Sequence, residues 1–269
     1  MGRLMAANVQ RAGFRLRSFD LNGKGTCRTA AEAAEGAEVL ITMLPDGRAV
    51  KEAVQAALPG LSRGSIVIDM SSCDPDDTLA TARGLRRQGI AMLDAPVSGA
   101  KARAKDGTLS LMVGGDARVL ERARPVLQAM GSAIFHTGAL GSGHVVKALN
   151  NYLGAAGTIA GFEALLVGEA YGLDTKVMID VINASTGRNS TTEWKIPQQV
   201  FTKAFNSGFQ LALIRKDVGI ARKLASRKRV PATGLAATHR LWTQAEKALK
   251  PRADHTELYL YLRGLKNKR

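Results

Sequence analysis

The chain has 269 residues, of which 45% are hydrophobic and 23% charged, so it holds enough apolar material for one large or two modest globular domains. Its two cysteines, Cys27 and Cys73, are too few for a disulfide framework or a four-ligand zinc site, and they indicate a reducing, cytoplasmic compartment without a structural metal. The formal net charge of +15 bears on solubility, and because the basic clusters contain no interleaved aromatic residues we expect no specific nucleic-acid partner.

The chain begins in a segment with the pattern of an amphipathic helix. Apolar residues recur at helical spacing from Gly2 to Ala12, and Gly13 follows as a glycine typically follows a helix. The alternating segment FRLRSFD, residues 14–20, predicts a strand that ends at Asp20. A helix that leads into such a strand usually follows another strand, and none precedes this one.

Short apolar runs alternate with helical patterns up to residue 138. Each run is rich in Val, Ile and Leu and is bounded by Gly, Pro or Asp, as expected for strands buried on both faces. The runs are residues 38–44, 65–71, 91–97, 109–115 and 132–138. The alternation predicts an α/β fold, a Rossmann-type doubly wound parallel sheet, whose functional residues gather beyond the carboxyl ends of the strands.

After residue 138 the pattern changes to helices alone. A long helical pattern runs from Gly143 to Tyr171, and further amphipathic segments follow it. The sequence therefore predicts two domains, an α/β domain over residues 1–138 and an all-α domain over residues 139–269, joined by a long interdomain helix. The least charged stretch, ALNNYLGAAGTIAGF, is short and contains two Asn and three Gly, so we expect no membrane span.

The segment GSGHVVKALNN, residues 141–151, is the first candidate for chemistry. Lys147 and Asn151 are four residues apart and therefore share one face of the predicted helix. An ammonium beside a carboxamide suits proton exchange with an alcohol oxygen, and burial would lower the pKa of the lysine towards neutrality. The simpler alternative for this fragment alone is an exposed surface lysine, but the surrounding helix is apolar enough to be buried.

Two further segments contain unusual polar residues. In DAPVSGA, residues 94–100, Ser98 and Gly99 expose a hydroxyl and backbone N–H groups that suit a carboxylate, although a polar turn explains them equally well. In FQLALIRKDV, Lys216 and Asp217 interrupt an apolar helix. Adjacent residues do not face each other on a helix, so an ordinary pair of charges is the simpler interpretation.

Taken together, these segments resemble one family. The motifs MGRLMAANV, ITMLPD, DAPVSGA, GSGHVVKALNN and FQLALIRKDV occur in the order found in the β-hydroxyacid dehydrogenases, the 3-hydroxyisobutyrate dehydrogenase-like enzymes. The resemblance extends to the closing ADHTELYLYL. Members begin with a strand and a G-x-G-x-M-G fingerprint, of which Met1 and Gly2 would be the last two residues. We therefore expect that the first strand and first glycines are missing here, which would weaken cofactor binding.

The resemblance implies roles for particular residues. Lys147 would be the general acid/base, carried by the long helix into a cleft between the domains, where hydride passes between a small 3-hydroxy acid and a nicotinamide. Asn150, Asn151, Ser98 and Gly99 would bind the substrate. The residues expected to contact the dinucleotide are Met1, Gly2, Asp20, Leu44, Pro45, Cys73 and Lys216.

The cofactor expected from the resemblance is NAD. A carboxylate at Asp20 would accept from the adenosine ribose hydroxyls and repel a 2′-phosphate, although the nearby Lys24 and Arg28 leave NADP open. Cys73 replaces the Thr or Ser that the family often has on the nicotinamide side. Ala100 replaces the second Gly of the Ser-Gly-Gly turn.

Several alternatives stay open at this stage. Phosphogluconate dehydrogenases have His where Asn150 stands, and imine reductases usually lack the lysine. A non-catalytic binding or scaffold protein on a degraded dehydrogenase fold is the alternative of a different class. The substrate is an unidentified small hydroxy acid, and Arg188 and Asn189 suggest a polar one. The resemblance also implies a homodimer or homotetramer, without a membrane partner.

Overall fold

The computed structural model describes residues 1–266 and divides into two compact units, Met1–Lys147 and Ala148–Arg269. The first unit is built on a sheet and the second is helical. This is the Rossmann-like architecture followed by an all-α domain that the sequence predicts.

The first unit contains six strands in the order β1-β2-β3-β5-β4, with β6 paired to β5. They are β1 Val39–Thr42, β2 Ile66–Asp69, β3 Ala91–Asp94, β4 Val97–Ser98, β5 Leu109–Gly114 and β6 Gly131–Gly138. The middle strands are almost fully buried, since Val67, Ile68 and Leu93 expose none of their surface. Burial on both faces explains why these runs are apolar without alternation.

The sheet is mixed, whereas the sequence predicts a wholly parallel one. Strands β1, β2 and β3 are parallel, but β5 runs antiparallel to β3 and β4, and β6 is parallel to β5. Residues 95–108, which connect β3 to β5, contain β4 and a helix of only seven residues, Ala100–Asp106. The connection is long enough for a parallel crossover, but it forms β4, which pairs antiparallel with β5, so the chain reverses direction.

Helices cover the sheet between the strands. They are α1 Gly2–Arg11, α2 Ala30–Ala34, α3 Gly47–Ala57, α4 Pro75–Arg86, α5 Ala100–Asp106 and α6 Ala117–Gln128. Asp46, Asp74 and Asp116 precede α3, α4 and α6, and each side chain accepts a hydrogen bond from a backbone N–H of the first turn. These caps satisfy donors that have no partner within the helix, which explains where the three helices begin.

The predicted strand at residues 14–20 is wrong. The segment joins no ladder with any strand among the described residues. Cys27 N donates to Ser18 O over 2.9 Å, and the hydroxyls of Ser18 and Thr26 bond the facing backbone, so the segment closes a loop. Alternating side chains alone do not form a strand, because the backbone groups need a neighbouring strand to pair with.

The second unit contains most of one long helix and the helices that pack on it. Helix α7, Ser142–Tyr171, begins in the first unit, as the pattern from Gly143 to Tyr171 predicts. The others are α8 Thr175–Asn183, α9 Leu211–Arg227, α10 Thr233–Ala248 and α11 Leu258–Lys266. Phe162 of α7 and Trp242 of α10 are fully buried at the centre of this core.

One of the helical segments that follow α7 is a π-helix, Thr191–Val200. Pro197 lies inside it and offers no backbone N–H, which disfavours the regular hydrogen-bond ladder. Helices of this kind are rare and are frequent at functional sites.

By length and composition α7 is able to cross a membrane, with a mean hydropathy of 1.3 over its most apolar window. The core helix of a soluble protein meets the same criteria. In the second unit α7 packs its apolar residues, including Phe162 and Leu165, into the core.

Lys195 in the π-helix is a buried cation. Only 8% of the residue is exposed, and its Nζ donates to Ser190 Oγ and Thr191 Oγ1, each over 3.1 Å. Burial lowers the pKa of Lys195 to about 8. The charged form is therefore disfavoured in the folded state relative to the unfolded chain.

We expect Lys195→Met to change how the stability of the second unit depends on pH. Between pH 8 and 10.5 the unfolded wild-type chain holds a proton that the folded chain has lost, so wild-type stability rises with pH by up to about 1.4 kcal/mol per unit. Below pH 8 the variant should be the more stable protein, and its advantage should shrink towards pH 10. Both tryptophans, Trp194 and Trp242, lie in this unit, so fluorescence during urea unfolding measures it. Parallel pH profiles of the two proteins would contradict the prediction.

Candidate active site

The carboxyl ends of three neighbouring parallel strands form the edge where the candidate residues gather. Thr42, Asp69 and Asp94 end β1, β2 and β3 and are register partners across the sheet. Thr42 Oγ1 donates to Asp69 Oδ1 over 2.8 Å. Such an edge is where open α/β sheets bind ligands.

The turns that follow β1 and β2 are joined to each other. Leu44 N donates to Ser71 Oγ over 2.9 Å, and Ser71 N donates to Asp69 Oδ1 over 3.0 Å. These bonds bring Leu44 and Pro45, which are at least partly exposed, to the edge that also holds the buried Cys73. Three of the predicted cofactor residues therefore lie on adjacent strand ends.

Asp94 anchors the start of α7 to the end of β3. The residue is fully buried, and its two carboxylate oxygens accept from Gly141 N over 2.6 Å and from His144 N over 2.8 Å. These N–H groups belong to the loop and first turn of α7, where backbone donors have no partner within the helix. A carboxylate at this end of a helix is also favoured by the helix dipole.

Two glycines allow this close approach. A Cβ at position 143 would meet Met112 O, and a Cβ at position 114 would meet the Asp94 carboxylate. The helix start therefore packs directly on backbone and carboxylate atoms of the sheet. Gly143 of the GSGHVVK segment is therefore needed for packing, in addition to any role of the polar residues of the segment.

Lys147 lies one turn after His144 on α7 and is half-buried. Asn150 and Asn151 follow on the same continuous helix, Asn150 exposed and Asn151 buried. A lysine within the first two turns of a helix whose start is fixed to the sheet has a well-defined backbone position.

In the second unit, Asn151 is held by an acid from α9. Asn151 Nδ2 donates to Asp217 Oδ2 over 2.6 Å, and Asn150 Nδ2 donates to Asn151 Oδ1 over 3.2 Å. Lys216 Nζ lies 3.5 Å from Asp217 Oδ1. The two residues are adjacent and do not face each other on the helix, but the long, flexible lysine side chain reaches back to its neighbour.

The Ser98-Gly99-Ala100 turn has an unusual backbone. Ser98 ends β4, Gly99 has a φ of 135°, and Ala100 has a φ of 55°. An alanine with positive φ costs about 1 kcal/mol or more, and glycine would adopt that conformation freely. Ala100, which replaces the second Gly of this turn in the family, is therefore strained. It lies next to Ser98 and Gly99, which are expected to bind a carboxylate.

The remaining predicted cofactor residues lie at α1 and in the loop before α2. Gly2 begins α1 beside Met43, the residue after β1, to which a Cβ at position 2 would lie within 3.6 Å. Asp20 is exposed, and its Oδ1 accepts from Asn22 N over 2.8 Å. Asp20 and Arg28 line an open depression of about 490 Å³ together with Gly23 and Gly25.

A buried polar cluster lies behind the turn that follows β2. Asp69, Cys73 and His144 are buried, and His144 Nε2 lies 3.3 Å from Asp69 Oδ2. Burial raises the pKa of the Asp69 carboxyl, but the neighbouring His144 ring and the hydrogen bonds of Ser71 outweigh it and hold the pKa below its ordinary value. Asp69 is therefore ionised at neutral pH.

Sequence reasoning missed the structural roles of Asp69, His144 and Asp217. Asp69 had a visible signal, because an acid at the end of a buried apolar strand marks the functional edge of the sheet, as at Asp94. Asp217 was visible as an acid that interrupts an apolar helix, but its partner Asn151 is distant in sequence, and His144 had no signal.

The comparisons with known proteins cover both units. Residues 1–138 match the family model described as the NAD binding domain of 6-phosphogluconate dehydrogenase. Residues 141–262 match the model described as NAD-binding of NADP-dependent 3-hydroxyisobutyrate dehydrogenase.

Individual proteins give the same result. The chain is 38% identical to an NAD-dependent L-serine dehydrogenase of Pseudomonas aeruginosa, over 84% of this chain and 82% of that protein. It is 36% identical to a 3-sulfolactaldehyde reductase of Escherichia coli, over 94% and 90%. The structure of Mycobacterium tuberculosis 3-hydroxyisobutyrate dehydrogenase with L-serine superposes with a TM-score of 0.90 at 32% identity, over 98% of this chain and 96% of that one.

We expect Asp94→Ala to destabilise the first unit by about 2–4 kcal/mol, because two buried backbone donors lose charged acceptors. The matched control is Asp116→Ala. Asp116 also accepts from two backbone N–H groups at a helix start, but it is exposed, so its loss should cost only about 1 kcal/mol. Urea unfolding followed by circular dichroism measures both. Equal losses in the two variants would contradict a special role for the buried anchor.

Proposed function

Because the chain belongs to the β-hydroxyacid dehydrogenase family of NAD(P)-dependent oxidoreductases, we propose that it interconverts a small 3-hydroxy acid and its carbonyl partner, with Lys147 as general acid/base. The observation that carries the assignment of Lys147 is the fixed start of α7. Asp94 binds Gly141 N and His144 N, and Lys147 follows within one turn. A general acid/base must be held at a defined position to exchange a proton efficiently.

The described residues fit a dinucleotide. A glycine begins α1 beside the end of β1, so backbone N–H groups of the first helical turn are available to a phosphate. Leu44, Pro45 and Cys73 lie on the neighbouring strand ends, and Asp20 lines the open depression expected for the adenosine ribose. When bound, the nicotinamide supplies the hydride donor or acceptor.

In the oxidation direction, Lys147 in its neutral form takes the proton from the substrate hydroxyl as the carbonyl forms. In the reduction direction its ammonium returns that proton to the oxygen. In both directions the proton is therefore transferred between Lys147 Nζ and the same substrate oxygen.

The substrate carboxylate is assigned to Ser98 and Gly99. The Ser98 hydroxyl and the backbone N–H groups of this turn are donors of the kind that bind carboxylates. Asn151 has one amide hydrogen committed to Asp217, which fixes the carboxamide and leaves its second hydrogen for a substrate oxygen.

Arg188 and Asn189, the residues that suggest a polar substrate, both contact neighbouring residues of the second unit. Asn189 Oδ1 accepts from Thr191 N over 2.9 Å at the start of the π-helix, and Arg188 Nε lies 3.6 Å from Glu193 Oε1. Both residues have local structural partners. The relatives named above act on L-serine and 3-sulfolactaldehyde, so small hydroxy acids and their aldehydes form the first panel to test.

A homo-oligomer remains our expectation. Five large apolar residues of the second unit are exposed and would be available to an interface between copies of the chain. They are Leu153, Val167, Tyr171, Val177 and Val181, with exposed fractions from 57% to 84%.

We predict that Lys147→Ala lowers kcat by about 10²–10⁴-fold while leaving dinucleotide affinity nearly unchanged, because only the proton transfer loses its partner. Absorbance of the reduced nicotinamide measures turnover with L-serine, 3-hydroxyisobutyrate and related acids, and fluorescence of bound NADH measures affinity. The exposed Lys51 provides the control variant Lys51→Ala, which should keep wild-type rates.

Two outcomes would contradict the proposal. Turnover retained in Lys147→Ala would remove Lys147 from the mechanism. A wild-type protein that binds NADH but turns over no hydroxy acid or aldehyde of the panel would favour the non-catalytic binding protein.

We propose NAD as the preferred cofactor, and Asp20 supports it. Asp20→Asn should raise KM for NAD by about tenfold and lower KM for NADP, because a carboxylate acceptor for the ribose and a repulsive charge are both removed. The exposed Asp106 gives the control Asp106→Asn. A ratio of kcat/KM for the two cofactors that is the same in wild type and Asp20→Asn would show that Asp20 does not decide the preference.

A further inference from the structure

Asp69, Cys73 and His144 carry the three kinds of side chain that most often bind zinc. One ligand atom from each, a carboxylate oxygen, the thiol sulfur and a ring nitrogen, lie within 4.8 Å of one another. All three residues are at most 2% exposed. They come from the end of β2, the turn after it and the first turn of α7, so only the fold brings them together.

The hydrogen bonding of this cluster is incomplete. Neither ring nitrogen of His144 has a hydrogen-bond partner among the described residues, nor does Asp69 Oδ2. Asp69 Oδ2 and His144 Nε2 are 3.3 Å apart, yet their geometry is not that of a hydrogen bond. A buried imidazole whose ring nitrogens make no hydrogen bond is costly unless something else binds it.

The spacing fits two ligands of one tetrahedral ion. With zinc bonds of about 2.0–2.2 Å to oxygen and nitrogen and about 2.3 Å to sulfur, tetrahedral ligand atoms lie about 3.4–3.6 Å apart. The observed 3.3 Å between the oxygen and the nitrogen is close to this value. The sulfur lies within 4.8 Å of the other two ligand atoms, so it has to approach them by up to about 1.2 Å, a movement of the size that rotation of its side chain gives.

We propose that Asp69, Cys73 and His144 form a binding site for Zn²⁺ or a similar divalent transition metal within the first unit. Three protein ligands leave one coordination position for water or another small ligand. The ion would join the end of β2 to the first turn of α7, beside the anchor that Asp94 provides. The site does not depend on the proposed reaction, and its test needs no substrate.

Cobalt is the probe, because Co²⁺ occupies zinc sites and absorbs visible light when tetrahedral. Titrating Co²⁺ into the reduced, metal-free full-length chain should give one equivalent of tetrahedral Co²⁺ absorption and a thiolate-to-cobalt charge-transfer band, both removed by Zn²⁺. Cys73→Ser should abolish the charge-transfer band, and His144→Gln should weaken binding at least about tenfold. Cys27→Ser, which changes the chain's other cysteine, should leave the spectrum unchanged.

The variants must be compared as folded proteins, so circular dichroism and the melting temperature of each metal-free protein are measured first. X-ray absorption of the wild-type zinc complex gives a result that needs no variant, with one sulfur at about 2.3 Å and nitrogen or oxygen at about 2.0–2.2 Å. A zinc shell without sulfur would overturn the proposal. So would a charge-transfer band that survives Cys73→Ser, or no binding of either metal by the wild-type protein.

Discussion

The hydrogen bonds from Gly141 N and His144 N to the buried Asp94 carboxylate are the interaction on which the first unit's candidate site depends. A fully buried anion is tolerated only where donors surround it, and the start of a helix supplies backbone donors that have no other partner. The helix start therefore supplies hydrogen-bond donors to the buried carboxylate, and the carboxylate supplies acceptors to the helix start. The contact is made to backbone atoms and fixes the path of α7, and it requires glycine at position 143, where a side chain would meet Met112 O.

The two carboxylates at adjacent strand ends show how similar positions acquire different environments. Asp94 receives two strong backbone donors from the helix start. Asp69, its register partner, receives a hydroxyl from Thr42 and a backbone N–H from Ser71, and its second oxygen faces His144. The first arrangement completes a helix cap, whereas the second leaves a buried oxygen and an imidazole facing each other beside a thiol.

In the second unit a buried acid again binds neighbouring groups, but these groups belong to side chains and not to the backbone. Asp217, which is 3% exposed, accepts from Asn151 and lies within 3.5 Å of the Lys216 ammonium. One buried acid thus orients an amide and a cation, both of which the family resemblance assigns to ligand binding. Losing the acid would remove the hydrogen bond of Asn151 and the ion pair of Lys216 at once.

The sequence by itself determined the elements whose signals are local. Buried strands require continuous apolar runs, so β1, β2, β3, β5 and β6 were predictable, and the unbroken helical pattern located α7. The motif order was sufficient to indicate the family and to place Lys147 and Asn151 on one helix.

Only the tertiary structure decided what depends on neighbours distant in the chain. Residues 14–20 have strand-like alternation but pair with no strand of the described chain, and β5 runs antiparallel to β3 because the connection between them forms β4, which pairs with β5. The pairs Asp94 with α7, Asn151 with Asp217, and Asp69 with His144 join residues 47 or more positions apart. Periodicity describes what each segment buries, whereas hydrogen bonds between segments depend on where the fold places them.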